Sequence, residues 1–190
     1  KMAMLHPTIS GAVLIAVALK ALQLDYFAYY QDINWLNFLL GPATVALAVP
    51  LYRQLPLLRE LAGPLLVTLF FGATFACASA LLLAWWLGAT QETLLSLMTK
   101  SITTPIAITV TEEIGGITSV AVGSVILTGV AGITTISWLF ERLNIRDDRL
   151  WGFCLGLAAH AIGTSRAFER SPVAGAFASL ALCLTGAFTA

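Results

Sequence analysis

The sequence predicts an all-α integral membrane protein, and three observations support this fold class. Hydrophobic residues make up 58% of the 190 residues, and charged residues make up only 11%. The mean hydropathy is +0.88. Apolar runs such as residues 63–88 and 117–140 can cross about 30 Å of hydrocarbon as helices. A soluble core of this size cannot hide so much apolar surface, so lipid is the expected solvent.

Seven apolar runs are expected to supply the helices: residues 9–24, 35–51, 63–88, 93–110, 117–140, 150–163 and 173–190. The first run lacks a basic leader region and a small-residue cleavage site, so it is interpreted as a span and not as a cleaved signal. Residues 24–34 carry acidic residues and tyrosines but no lysine or arginine, which favours the outer interface. The loop at residues 52–62 carries Arg53 and Arg59, which favours the cytoplasmic side.

The same rule predicts two re-entrant hairpins. The chain is outside after Trp86, and the arginines of residues 141–149 place that loop inside, so only one of the two intervening runs crosses fully. Residues 94–116 are therefore expected to enter from outside and turn back. The run at residues 150–163 is short and is followed by charged residues, which predicts a second hairpin from inside. Broken helices at membrane depth line protein or a wet cavity.

A weak internal similarity relates the two hairpins. Thr104–Ala107 leads to Leu127–Gly129, and Thr164–Ala167 leads to Leu184–Gly186. The two units would be inverted, as in many transporters. We expect one transmembrane domain over residues 1–190, with scaffold spans in 1–92, the first hairpin and its span in 93–140, and the second pair in 141–190.

The first candidate binding segment is Thr103, Thr104 and Pro105. Pro105 lacks an N–H and suits the first position of a helix, while Thr104 can cap the N–H groups behind it. A helix start inside the membrane attracts a carboxylate or another anion. The alternative is a proline kink that the threonine repairs.

The second candidate binding segment runs from His160 to Arg166. Gly163 permits a helix break, and Thr164 or Ser165 can cap a half-helix that begins near Arg166. Arg166 is expected to hold a substrate carboxylate, and His160 is expected to couple transport to protons.

Two alternatives stay open for the charged residues. Arg166 can instead pair with Glu169 near the lipid headgroups. Glu112 and Glu113 are candidates, with His160 and Glu169, for binding a coupling proton or sodium ion, because adjacent carboxylates raise each other's pKa. They can equally be exposed interfacial residues.

Motifs for enzymatic chemistry are missing from the sequence. It contains no phosphate-binding Gly-Lys-Ser/Thr and no His-Glu-x-x-His, and its three cysteines lack metal-site spacing. We therefore expect no enzyme activity, no catalytic residues, no metal and no cofactor. The ten basic and ten acidic residues cancel, which excludes an obvious nucleic-acid partner.

Several blocks together resemble the LrgB/CidB family of holin/antiholin-like membrane proteins: residues 39–52, 100–107, 114–117, 159–167 and 175–181. The resemblance spans nearly the whole chain. It departs from the family at Thr99, where members usually have proline, and at Ala159, where they usually have serine. Members usually have a further short hydrophobic segment at the start and a longer final span, so the chain is expected to be a fragment.

The resemblance implies a multi-pass protein of the bacterial inner membrane that carries small carboxylates of the pyruvate, glycolate or glycerate class. Related plastid proteins translocate glycolate and glycerate, and bacterial pairs are linked to pyruvate movement. It also implies a small LrgA/CidA-like membrane subunit as a partner, and we expect a homo-oligomer. The alternative is a holin/antiholin-like protein that modulates permeability, murein hydrolase activity and lysis without recognising a substrate.

Overall fold

A computed structural model describes residues 7–33, 35–46 and 48–189, and within these ranges the chain is helical and has no strand. The helices are α1 Pro7–Ala21, α2 Tyr26–Asp32, α3 Trp35–Ala46, α4 Ala48–Arg53, α5 Leu55–Glu60, α6 Ala62–Trp86, α7 Gln91–Met98, α8 Thr104–Glu113, α9 Thr118–Arg142, α10 Asp148–Arg170 and α11 Pro172–Thr189. The predicted all-α fold class is confirmed.

The contacts divide the chain into two units, residues 1–49 and 50–190. The boundary falls inside the segment at residues 1–92 that the sequence predicted as scaffold. In the first unit, large apolar side chains such as Leu14 and Phe38 are exposed, as expected for helices that face lipid. All features of the candidate site lie in the second unit.

Among the described residues, three helices are long and apolar enough to cross a membrane: α6, α9 and α11. They match the predicted spans to within a few residues. On α6, large side chains such as Phe71, Phe75 and Leu82 are exposed, while Leu69 and Ala73 are buried. An apolar helix with such an exposed surface is stable only where lipid replaces water.

The first hairpin, residues 91–113, consists of α7, a connection and α8. The two helices are tied together by buried hydroxyl groups. The Thr99 and Thr111 hydroxyl oxygens lie 2.9 Å apart, and Ser96 Oγ accepts a hydrogen bond of 2.6 Å from the Ile117 backbone N–H. Ser96, in the last turn of α7, therefore lies beside Ile117, which follows α8. Thr99, at the end of α7, lies beside Thr111 in the last turn of α8, so the two segments run antiparallel.

The second hairpin, residues 148–170, is formed by α10, which reverses direction within its length. A straight helix of 23 residues would separate its ends by roughly 35 Å. Instead, Arg170 Nε donates to Asp148 Oδ1 at 2.7 Å, and Ser171 Oγ donates to Asp148 Oδ2 at 2.6 Å. The reversal occurs at His160, whose φ of 41° and ψ of −131° are not helical.

Hydrogen bonds also fix the base of this hairpin. Asp147 caps the start of α10 and accepts hydrogen bonds from both the backbone and the side chain of Arg149. These bonds, with the side-chain bond as the largest effect, lower the pKa of the Asp147 carboxyl. The Arg170 guanidinium lies 4.7 Å from the centre of the Trp151 ring.

The second hairpin has two arms, a first arm at residues 148–159 and a second arm at residues 161–170. Close backbone approach holds these arms together and against α11. A Cβ at Gly163, in the second arm, would lie 2.4 Å from the Leu155 carbonyl oxygen of the first arm. A Cβ at Gly156 would lie 2.1 Å from the Ala178 carbonyl oxygen on α11. Only glycine permits these approaches. The first arm thus packs closely against both the second arm and α11.

The predicted position of the break in this segment is wrong by three residues. The sequence placed the break at Gly163, but the chain turns at His160, and Gly163 serves the close packing of the arms. Thr164 and Ser165 do not cap a helix start. Their hydroxyl groups donate to the carbonyl oxygens of His160 and Ile162, inside a second arm that has already begun.

Candidate substrate-binding site

The tips of both hairpins meet α9 at Val125. Ile102, at the tip of the first hairpin, packs with Ala107 and Val125 in one buried cluster. His160, at the tip of the second hairpin, places its Nε2 atom 2.8 Å from the Val125 carbonyl oxygen. The two tips, which are far apart in sequence, are thus anchored to one point on the long apolar helix α9.

His160 is held in place from several directions. Its side chain is 1% exposed, and a Cβ at Gly129 of α9 would lie 3.0 Å from the imidazole Cε1. The Thr164 hydroxyl donates to the His160 carbonyl oxygen. The positive φ is strained for a residue with a side chain, and such strain is typical of functional sites.

The start of α8 lies in the other tip. Thr103 is the N-cap residue, with φ −69° and ψ 146°, and Pro105 is in the first turn. The sequence assigned the cap to Thr104, one residue too late. Within the described structure, the Thr103 side chain makes no capping hydrogen bond. The first-turn N–H groups are therefore not satisfied by that side chain, which leaves donors for an anion.

Sequence reasoning missed Lys100 and Ser101. Lys100 Nζ donates to Ser101 Oγ at 3.1 Å, and Ser101 is buried. Lys100 also lies within electrostatic range of His160 and of Cys77 in the middle of α6. One signal was available, because Lys100 is the only basic residue between Arg59 and Arg142. The tips thus bring together His160, Lys100 and Ser101.

Arg166 and Glu169 lie toward the base of the second hairpin, away from its tip. The Arg166 guanidinium forms an ion pair with the Glu169 carboxylate, and both side chains are exposed. This is the alternative arrangement that the sequence left open. A polar cavity of about 560 Å³ lies beside them and is lined by α9, the following loop and both arms of α10. No described contact joins Arg166 to the Thr103–Pro105 segment, and its role in substrate binding stays a prediction.

Glu112 and Glu113 lie at the end of α8 and are exposed. They are at the opposite end of the first hairpin from its tip. This position agrees with their reading as interfacial residues, and their role in ion coupling stays a prediction. No group of three or more His, Cys, Asp or Glu side chains within the described ranges can hold a metal ion.

Comparison with known proteins identifies the family. The profile of the LrgB-like family matches residues 1–190. This chain belongs to the LrgB-like family. The resemblance predicted from the sequence blocks is therefore confirmed, and the chain is a helical membrane protein of that family.

Individual relatives agree with this assignment. YxaC of Bacillus subtilis is 36% identical over 180 residues, which cover 95% of this chain and 78% of YxaC. A Haemophilus influenzae protein is 34% identical over 184 residues, with 96% and 80% covered. The holin-like protein CidB of Staphylococcus epidermidis is 27% identical over 182 residues, with 96% and 80% covered. No solved structure matches the chain.

Proposed function

We propose that this LrgB-like protein is a secondary carrier of small carboxylates of the pyruvate, glycolate or glycerate class. The observation that carries the proposal is the convergence of the two hairpin tips on Val125, beside His160 and Lys100. In this proposal both hairpins are re-entrant and the tips hold the substrate near the middle of the membrane. Broken helices that meet at the midplane are the usual substrate sites of secondary transporters.

The free-energy cost of the polar and strained tips favours a carrier over a protein that only permeabilises the membrane. A buried imidazole and a half-buried ammonium group in a membrane protein cost free energy unless they perform a function. A strained residue at the tip adds to that cost. A protein that only permeabilises the bilayer needs neither the strain nor the polar tip.

Reciprocal contacts favour an inverted repeat. Gly129, on the span after the first hairpin, approaches His160 at the tip of the second hairpin. Gly186, on the span after the second hairpin, approaches Ile106 near the tip of the first. Each Leu-Thr-Gly segment therefore faces the other unit's hairpin. This exchange is expected of two inverted units that enclose one site.

A second candidate function is a holin-like pore component, because CidB relatives carry that name. Oligomers would then permeabilise the bacterial inner membrane, with a small LrgA/CidA-like membrane subunit as the partner. Such a protein would leak unrelated solutes. A carrier would show saturable flux that competitors inhibit.

Reconstitution distinguishes the two functions. The purified protein is placed in liposomes that contain a trapped dye, and uptake of radiolabelled pyruvate, glycolate and glycerate is measured under an imposed pH or sodium gradient. Saturable uptake without dye release is expected. Release of dye with unsaturable uptake would support the pore. Loss of uptake in Arg166→Ala would support a grip by Arg166, and normal uptake would assign Arg166 to its ion pair with Glu169.

A further inference from the structure

Lys100 is a cation inside the helical unit that lacks a carboxylate partner among the described residues. Its Nζ bonds to the neutral hydroxyl of Ser101, and none of the ion pairs of residues 7–33, 35–46 and 48–189 includes it. The imidazole of His160, on which the charge of Lys100 acts, has no acidic group that could balance this charge.

Because Lys100 is partly buried, its charge costs free energy when no counter-ion is bound. The residue is half-buried and adjoins buried Ser101 and Ile102. Ile102 in turn packs on Val125 of the long apolar helix α9. This setting differs from that of lysines near helix ends, which extend their ammonium group to the headgroups.

The matching ligand is therefore an anion that brings its own negative charge. Glutamate or aspartate would neutralise Lys100 permanently, and none is in contact among the described residues. A small carboxylate that reaches Lys100 would form a charge-assisted hydrogen bond with Nζ. When the carboxylate dissociates, the ammonium group again has no counter-ion.

We propose that Lys100 is the residue that recognises the carboxylate group of the substrate. This inference rests on the proposed carrier function and deepens it, because it assigns the negative end of the substrate to the tip of the first hairpin. Arg166 then has no part in the grip. Lys100 binds the carboxylate, and Ser101 positions Nζ.

A binding experiment tests the assignment without transport. Lys1, Lys20 and Lys100 are the lysines of the sequence, so reductive methylation with ¹³C-formaldehyde gives few NMR signals, and methylation keeps their charge. Lys100→Arg identifies the Lys100 signal. Pyruvate is expected to shift that signal saturably, while methyl pyruvate, which lacks the charge, is not. No shift, or an equal shift with chloride, would overturn the assignment even if the protein carries pyruvate.

Uptake by variants provides the second test. Loss of a charged hydrogen bond should raise the KM for pyruvate about 10- to 100-fold in Lys100→Met. Lys100→Arg should recover part of the loss, and Lys20→Met, on exposed α1, should match the wild type. Size-exclusion chromatography confirms that each variant is folded.

The outcomes separate the two proposals. Normal pyruvate uptake by Lys100→Met would overturn the role of Lys100 and leave the carrier function intact. A saturable NMR shift in a wild-type protein that carries no carboxylate would support the anion site and contradict the carrier. If the wild-type protein shows no carboxylate uptake and no NMR shift, both proposals are contradicted.

Discussion

The Nε2 atom of His160 lies 2.8 Å from the carbonyl oxygen of Val125. A carbonyl oxygen can only accept, so Nε2 carries the hydrogen and donates it to Val125. This bond joins the second hairpin to the span that follows the first hairpin. The two halves of the candidate site are therefore connected through one imidazole.

Substitution of His160 tests whether the reversal is strained. His160→Gly removes the side chain but suits a φ of 41°, whereas His160→Ala keeps the unfavourable backbone conformation. We expect the glycine variant to be more stable than the alanine variant by roughly 1–2 kcal/mol. Denaturant titration in detergent micelles measures the difference.

Ala161 supplies the control for this comparison. It lies one residue later, inside the regular second arm, and glycine in a helix interior is about 1 kcal/mol less stable than alanine. Ala161→Gly should therefore be destabilising. If alanine were also the more stable choice at position 160, the chain would not reverse there through a left-handed residue.

Gly156 tests the packing of the second hairpin on α11. A Cβ added at this position would lie 2.1 Å from the Ala178 carbonyl oxygen, whereas a Cβ at Gly123 of α9 meets nothing within 4 Å. Gly156→Ala should lower the unfolding free energy by about 1–3 kcal/mol. Gly123→Ala should be neutral or stabilising. Equal effects in both variants would contradict the close approach.

The hydrogen bond between the Thr99 and Thr111 hydroxyl groups predicts that replacing the two threonines by valine has unequal effects on stability. Thr99 Oγ1 donates to the Ser96 carbonyl oxygen, so Thr111 is the donor to Thr99. Thr99→Val leaves the buried Thr111 donor unpaired, while Thr111→Val removes only a bond that Thr99 accepts. Thr99→Val should therefore cost about 1–2 kcal/mol more than Thr111→Val. Equal costs would show that this hydrogen-bond direction is wrong.

Much of the fold was predictable because membranes impose simple rules. Apolar length predicted α6, α9 and α11. The loop arginines and the short run at residues 150–163 predicted two hairpins, and their re-entrant topology stays a prediction. The exact turn at His160 was not predictable, because histidine seldom adopts a positive φ and Gly163 was the obvious breaker. Only the packing against Leu155 and Val125 shows why the turn is three residues earlier.

The candidate site was predictable only in part. Thr103 and His160 both lie at the tips, although the sequence placed the second break at Gly163 and not at His160. Arg166 was predicted to hold a substrate carboxylate, but the chain reversal at His160 places it beside a cavity toward the hairpin base. Lys100 was overlooked because a single lysine carries no motif, and its importance comes from contacts between distant segments.

Cysteine labelling tests the central claim, that both hairpins enter and leave on one face of the membrane. Single cysteines are introduced at four exposed flanking positions, after Cys77, Cys154 and Cys183 are replaced by serine: Gln91, Glu113, Asn144 and Glu169. A membrane-impermeant maleimide is added to intact cells. We expect positions 91 and 113 to react from outside and positions 144 and 169 to react only after permeabilisation. Opposite accessibility within either pair would show that the hairpin crosses the membrane, and would contradict the account.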